Sequence, residues 1–120
     1  MNKREIGNEK EGVALSFIVK NGLEIVEKNF TGRNGEIDIV ALDGNTLVFV
    51  EVKYRKNKNS GFAEEAVSKI KMRRIFLASM EYIKKKKIKE SMAMRFDVIA
   101  INGEDINWIK NSFRGDEIGF

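Results

Sequence analysis

The sequence of 120 residues contains no cysteine, no histidine and no proline. Without cysteine the chain has no disulfide, no thiolate zinc site and no thiol nucleophile. Without histidine it has no imidazole base and no imidazole metal ligand. Any metal ion that binds this protein should therefore be held by oxygen atoms.

Long apolar runs are also missing, and this absence bears on compartment and partners. No stretch approaches the 18 or so apolar residues of a membrane-spanning helix. The charged start MNKREIGNEKEG lacks the apolar core of a signal peptide. We therefore expect a cytoplasmic protein with no membrane partner, and the length predicts one domain over residues 1–120.

The charge that is present is unevenly distributed along the chain. Residues 53–95 contain 14 Lys and Arg against 4 Asp and Glu, a net charge of +10. The remaining residues contain 8 basic and 14 acidic side chains, a net charge of −6. A basic segment beside an acidic one is expected where a polyanion meets a metal-binding cluster, and solvated helix faces would produce the same pattern.

Hydrophobic spacing and turn signals predict two helices and five strands in the order αβββαββ, an α/β fold. Asn34-Gly35 and Asp43-Gly44-Asn45 are tight-turn signals, so the first three strands should form an antiparallel meander. Asn21-Gly22 should end the first helix. The predicted helices cover residues 5–20 and 62–87, and the predicted strands centre on residues 23–31, 36–41, 47–50, 96–101 and 106–109.

Charged residues interrupt the second and third predicted strands. Asp38 lies on one strand, and Glu51 and Lys53 follow four apolar residues on the next. Ionised groups at half-buried strand positions are costly unless they are paired or bound to metal. Asp38, Glu51 and the Val52 carbonyl are oxygen ligands suited to Mg²⁺, and Lys53 would stabilise growing negative charge or orient water. A cross-strand salt bridge is the alternative interpretation.

The order of these residues adds information beyond their types. Asp38 and Glu51 are separated by twelve residues across a predicted hairpin, and Glu51 begins a Glu-x-Lys motif. This arrangement resembles the PD-(D/E)XK nuclease superfamily. The chain also contains an ordered set of further motifs: Gly7, Glu11 and Ala14; Asn29; Gly35 to Asp38; Phe49 to Lys53 followed by Arg55; Lys71 and Arg74; Arg95 to Val98; and Asn111-Ser112-Phe113. The whole set resembles the YraN-like bacterial proteins, which are similar to archaeal Holliday junction resolvases.

The resemblance implies a restriction-endonuclease-like core with a central mixed sheet flanked by helices. It implies Asp38 and Glu51 as ligands of Mg²⁺ or Mn²⁺ and Lys53 as the catalytic lysine. It also implies that Glu11, the acid of the first helix, contacts a second metal or a metal-bound water. An exposed carboxylate near the favourable N-terminal end of a helix is the alternative interpretation of Glu11.

Basic residues near these motifs are candidates for nucleic-acid binding. We expect Arg55, Lys56 and Lys58 after the third strand, with Lys71 and Arg74 on the long helix, to contact DNA phosphates. Lys84 to Lys87 with Lys89 admit two interpretations, a phosphate clamp or, preferred, a solvated helix end. For Trp108 we prefer packing against the sheet over stacking on a base.

Two functions are consistent with the sequence. The first is a Mg²⁺-dependent DNA endonuclease that hydrolyses phosphodiester bonds, with branched and single-stranded DNA as candidate substrates. The second is a non-catalytic nucleic-acid-binding or accessory protein on the same fold, because fold does not establish reaction. The intact set of Asp38, Glu51 and Lys53 favours the enzyme, and a homodimer is compatible with either function.

Overall fold

The computed structural model describes the backbone of residues 3–55 and 68–113 and the side chains of residues 9–55 and 68–111. The predicted order of elements is confirmed within these ranges. The elements are α1 (Lys3–Lys20), β1 (Glu24–Thr31), β2 (Glu36–Asp43), β3 (Thr46–Arg55), α2 (Lys69–Lys85), β4 (Ala93–Asn102) and β5 (Asp105–Phe113).

The five strands form one mixed sheet in the order β1-β2-β3-β4-β5. Strands β1, β2 and β3 pair antiparallel, which confirms the predicted meander. The chain then passes through α2, and β4 pairs parallel to β3 while β5 pairs antiparallel to β4. This arrangement is consistent with the restriction-endonuclease-like core that the resemblance implies.

One face of the sheet packs against α2. Ile75, Ala78 and Tyr82 are the buried helix residues in this core. Aromatic rings fill the layer beneath them, with Phe49 stacked on Phe96 at 5.5 Å between ring centroids. Phe49 is essentially inaccessible to solvent at 1 % exposure, and its edge contact with Tyr82 at 5.8 Å between ring centroids packs α2 above the centre of the sheet.

The other face of the sheet packs against α1. Ala14 and Ile18 of this helix are fully buried and belong to one cluster with Val48, Val50 and Ile99. Because helices cover both faces, the central strands are apolar on both sides, which explains the continuous run Leu47 to Val50. The helix ends as predicted, with Gly22 beyond it at a φ of 93°.

The long helix differs from its prediction at its N-terminus. Ser68 has an extended backbone, and its hydroxyl accepts a hydrogen bond from the Lys71 amide at 3.2 Å. The residue therefore caps a helix that begins at Lys69, so the prediction of a helix through Ser68 was wrong. The earlier part of that prediction, residues 62–67, lies outside the described residues.

A buried network attaches β5 to β4. The Asp97 carboxylate accepts hydrogen bonds from Arg95 Nε at 3.0 Å, from Trp108 Nε1 at 2.9 Å and from the Asn111 amide at 2.9 Å. Arg95 also donates through Nη1 to Asp43 at 2.8 Å. Trp108 makes an edge contact with Phe17 of α1, which confirms the prediction that it packs against the sheet.

Within the described ranges, neither helix combines the length and the apolar character needed to cross a lipid bilayer.

Candidate active site

The candidate site lies where the pairing between β2 and β3 stops. Their antiparallel register runs from Asp43 opposite Thr46 to Ile39 opposite Val50. The next position of that register would place Asp38 opposite Glu51. There the Asp38 carboxylate, through Oδ2, accepts the Val52 backbone N–H at 2.8 Å. The Asp38 side chain thus accepts a hydrogen bond from the backbone of β3, and this bond holds the carboxylate in a fixed orientation.

Both acids lie on the sheet face that α2 covers. Val40 and Phe49 belong to the α2 core, and side chains two residues apart share a strand face, so Asp38 and Glu51 extend that face toward the end of the ladder. Glu51 is buried at 4 % exposure, and Asp38 is partly buried. The fold therefore brings the two predicted metal ligands together in a poorly solvated position.

The surroundings disfavour a negative charge on Asp38. Burial is the largest cause, and the charge and hydrogen bond of Glu51 add to it, so the pKa of Asp38 rises from 3.8 to about 8. The hydrogen bond from the Val52 amide acts in the opposite direction and is the smaller effect.

Glu51 contacts two lysines. Its Oε1 atom lies 3.1 Å from Lys53 Nζ on the same strand and 2.9 Å from Lys71 Nζ on α2. The Lys53 side chain is 15 % exposed and the Lys71 side chain is 39 % exposed. These ion pairs lie within β3 and between β3 and α2, so they differ from the cross-strand salt bridge of the alternative interpretation, and they exist together with the carboxylate pair.

Glu11 approaches the site from α1. Burial raises the pKa of Glu11, a hydrogen bond from Asn29 lowers it, and the charges of Glu36 and Glu51 raise it further. Asn29 itself has a φ of 54°, a left-handed conformation that asparagine tolerates. Glu11 also contributes to the raised pKa of Asp38, but among the described residues no three acids are close enough to hold one metal ion together.

A cavity of about 440 Å³ opens above the carboxylates. Asp38 and Glu51 line its base, and Lys71 and Arg74 of α2 line its wall. Gly35 lies against this wall, since a Cβ at that position would be 3.3 Å from both Cβ and the carbonyl oxygen of Arg74. The glycine thus allows α2 to approach the start of β2, and the helix places two cations beside the acids.

The predicted nucleic-acid-binding residues divide into three groups. Lys71 and Arg74 lie at the cavity with the acids. Arg55 is exposed at the end of β3, where its carbonyl oxygen accepts a hydrogen bond from the Gly103 amide at 2.9 Å. Lys56 and Lys58 lie outside the described residues.

Two contributions are not predictable from the sequence pattern alone. The pattern assigns Lys71 to phosphates, whereas its ion pair with Glu51 depends on the way α2 crosses the sheet. No motif points to Glu81, although it accepts hydrogen bonds from the turn between β1 and β2. One signal is available for Glu81, because it is the sole acid between Lys69 and Lys89.

The donor set fits a hard divalent cation. Asp38 and Glu51 present carboxylate oxygens in one partly buried position, where burial and the charge of Glu51 raise the pKa of Asp38. A bound Mg²⁺ or Mn²⁺ would favour the ionised form of Asp38. The residues that would hold the ion are Asp38 and Glu51, with the Val52 carbonyl as the predicted third ligand.

Comparison with known proteins assigns the chain to a family. The sequence model of the uncharacterised protein family UPF0102 matches residues 10–101. The chain is 42% identical to a UPF0102 protein of Fusobacterium nucleatum over 120 residues, which is 100% of both chains. It is 42% identical to a UPF0102 protein of Caldicellulosiruptor saccharolyticus over 119 residues, which is 94% of this chain and 100% of the relative. A UPF0102 protein of Lachnoclostridium phytofermentans is 44% identical over 113 residues, which is 94% of this chain and 96% of the relative.

The chain therefore belongs to the UPF0102 family, also called the YraN family, whose fold is of the PD-(D/E)XK nuclease type. This confirms the resemblance found in the sequence. The family name carries no activity, so function must be argued from the site.

Proposed function

We propose that this member of the UPF0102 family is a metal-dependent DNA endonuclease that hydrolyses phosphodiester bonds. One observation carries the proposal: Asp38 and Glu51 share a poorly solvated position at the end of the β2–β3 ladder, where the pKa of Asp38 rises to about 8. Crowding two acids costs stability, and such costs concentrate at functional sites. A wholly structural role would be served better by one acid and one base.

The metal supplies Lewis-acid chemistry when it is bound, by withdrawing charge from a phosphoryl oxygen. Asp38 and Glu51 would hold that ion, and the hydrogen bond from the Val52 N–H fixes the orientation of the Asp38 carboxylate. Lys53, whose ammonium group lies 3.1 Å from Glu51, would stabilise the negative charge that grows on the phosphate.

DNA is the proposed substrate because cations border the acids. Lys71 and Arg74 line the same cavity as Asp38 and Glu51, and the segment from Lys53 to Arg95 has a net charge of +10. Phosphate contacts of this kind bind the strand without reading its sequence. Binding should therefore weaken steeply with salt and depend little on base sequence, and an affinity that ignores salt would contradict the proposal.

A second candidate function is nucleic-acid binding without catalysis. The observation that favours it is the contact of one Glu51 oxygen with both Lys53 and Lys71, because this pairing neutralises an acid without any metal. Under this function the basic surface would suffice, and Asp38 would have no catalytic part.

A cleavage screen separates the two functions. Duplex, flap, single-stranded and four-way-junction DNA are incubated with the protein in Mg²⁺, Mn²⁺ or EDTA, with Asp38→Asn as the matched inactive variant. The endonuclease predicts products with the wild type in metal only. Binding to all four substrates with no products in either metal would leave the second candidate.

A further inference from the structure

A second groove lies beside the candidate active site. The turn between β1 and β2, residues 32–35, separates the two: Gly35 borders the cavity with the acids, and Arg33 borders the neighbouring groove. This second groove has a volume of about 940 Å³ and is lined by three cationic side chains, Arg33, Lys84 and Lys85, and one acid, Glu81. Helix α2 forms one wall of both spaces.

Glu81, the acid of this groove, forms hydrogen bonds with the turn between β1 and β2. Glu81 Oε2 accepts the backbone N–H of Arg33 at 2.7 Å, and Glu81 Oε1 accepts the side-chain amide of Asn34 at 2.8 Å. Arg33, Lys84 and Lys85, by contrast, form no ion pair with any residue that the structure describes. The groove therefore presents cationic side chains to solvent, while its carboxylate serves to hold the turn.

A glycine makes this attachment possible. A Cβ at Gly32 would overlap the Glu81 carboxylate, so a residue with a side chain there would displace Glu81 from its hydrogen bonds to the turn. The turn is also closed by a hydrogen bond from the Gly32 amide to the Gly35 carbonyl at 2.8 Å. Arg33 thus projects from a turn whose position is fixed relative to α2 and to Asp38.

The spacing along α2 relates the groove to the site. Arg74 borders the acids and Lys84 borders the groove, and ten residues of α-helix extend about 15 Å. One strand of duplex DNA advances about 3.4 Å per phosphate, so a strand running beside α2 would reach the groove about four nucleotides from the acids.

We propose that this groove is a second phosphate-binding subsite, which holds the DNA backbone several nucleotides from the bond that is cleaved. Arg33, Lys84 and Lys85 supply its charge, and Glu81 is a positioning residue that holds the turn. The inference rests on the proposed function in one respect, because the strand bound here is the strand that reaches Asp38 and Glu51.

The test measures binding in EDTA, where no metal-dependent cleavage occurs, with fluorescein-labelled duplex and single-stranded DNA over a range of salt. Arg33→Gln/Lys84→Gln is compared with Lys20→Gln/Lys110→Gln, which removes the same charge from the end of α1 and from the distant edge strand β5. Losing two phosphate contacts should lower the slope of log affinity against log salt by about 1–2, and the control pair should change it far less. Equal losses in the two pairs would overturn the subsite.

A variant of Glu81 distinguishes a positioning role of this residue from a simple effect of net charge on DNA binding. Removing an acid from a DNA-binding surface should tighten binding if only net charge matters. If Glu81 positions the turn, Glu81→Ala should instead weaken binding by about three- to tenfold, because the turn must be ordered when DNA binds. Gly32→Ala should act in the same direction with no change of charge, and tighter binding by Glu81→Ala would overturn the positioning role.

The experiments distinguish failure of the subsite from failure of the proposed endonuclease function. If the Arg33/Lys84 pair selectively weakens binding but no DNA is cleaved in metal, the subsite stands and the endonuclease fails. If DNA is cleaved and the Arg33/Lys84 pair behaves like its control, only the subsite fails. If no DNA binds at all, both proposals fail.

Discussion

Asp97 on β4 and Asp38 on β2 are acids of the same sheet with opposite surroundings. Asp97 is 1 % exposed and accepts hydrogen bonds from Arg95, Trp108 and the Asn111 amide. Asp38 has one backbone donor, and its nearest charged neighbour is another acid. Hydrogen-bond donors surround the Asp97 carboxylate, whereas burial and the charge of Glu51 disfavour a negative charge on Asp38.

The pKa values of Arg95, which pairs with Asp97, and of Asp38 show the same contrast. Burial acts to lower the pKa of Arg95, but hydrogen bonds to Asp97 and Asp43 outweigh it and raise that pKa, so Arg95 is held in its charged form. At Asp38, burial and Glu51 together raise the pKa to about 8. The carboxylate that joins two strands is thus surrounded by hydrogen-bond donors, whereas the proposed metal ligand has another acid as its neighbour.

The largest expected effect is on the stability of the Asp97 network. Asp97→Ala would leave Trp108 Nε1 without its acceptor and Arg95 with the partly exposed Asp43, and removing one side of a buried ion pair costs about 3–5 kcal/mol. Asp43→Ala is the matched control, since Asp43 is 38 % exposed and an exposed pair is worth up to about 1 kcal/mol. Urea unfolding measures both variants. A smaller loss for Asp97→Ala than for Asp43→Ala would remove the contrast between the two acids.

The next effect concerns rate rather than stability. Lys53→Ala should leave metal bound but lower turnover by about 10²–10³, the usual loss when one charge that stabilises the transition state is removed. Lys86→Ala is the control, because Lys86 forms its ion pair with Glu27, at 3.1 Å, and lies outside the cavity with Asp38 and Glu51. Glu51→Gln should weaken metal binding itself. If Lys53→Ala and Glu51→Gln lose metal binding equally, the pair is structural.

Asp38 should make the stability of the metal-free protein depend on pH. In EDTA, folded protein keeps a proton on Asp38 between its ordinary pKa of 3.8 and about 8, whereas unfolded protein releases it. The folded state binds more protons in that window, so this contribution to stability is lost as pH rises toward 8. A tenfold difference in proton affinity between the folded and unfolded states corresponds to about 1.4 kcal/mol of stability.

Asp38→Asn removes this titration, so its stability should decline less than that of the wild type from about pH 5 to about pH 9. Chemical denaturation at a series of pH values in EDTA provides the measurement. Identical pH profiles for the two proteins would show that Asp38 is not held protonated by its neighbours.

The smallest expected effect concerns Lys71. Its ammonium group competes with a metal ion for Glu51, so Lys71→Met should tighten Mn²⁺ binding. A partly exposed ion pair is worth up to about 1 kcal/mol, which limits the gain to about fivefold. Titration calorimetry measures the change, with Lys69→Met as a neighbouring control. Weaker metal binding in Lys71→Met would mean that this lysine supports the site instead of competing for it.

Local signals in the sequence were sufficient for most of the fold. The turns at Asn34-Gly35 and Asp43 to Asn45 fixed the meander, and with it the approach of Asp38 to Glu51. The helix start was not predictable from apolar spacing, because the pattern continues across Ser68 while the backbone there is extended. Local periodicity does not report where a cap interrupts it.

Long-range contacts were the part of the site that escaped prediction. The ion pair of Lys71 with Glu51 joins residues twenty positions apart, and the contact of Glu81 with Arg33 spans 48 positions. Such contacts depend on the angle at which α2 crosses the sheet, and Gly35 permits the close approach of the helix by lacking a side chain. No local pattern specifies that angle.

Thermal melts of wild type and Asp38→Asn in EDTA, Mg²⁺ and Mn²⁺ test most directly whether Asp38 and Glu51 form a metal site. Metal should raise the melting temperature of the wild type, since a ligand at a hundredfold excess over its Kd stabilises the folded state by about 2.7 kcal/mol. Asp38→Asn should melt higher than wild type in EDTA and should not respond to metal. A wild type that ignores both metals, with Asp38→Asn less stable than wild type, would contradict the account and make Asp38 a structural residue like Asp97.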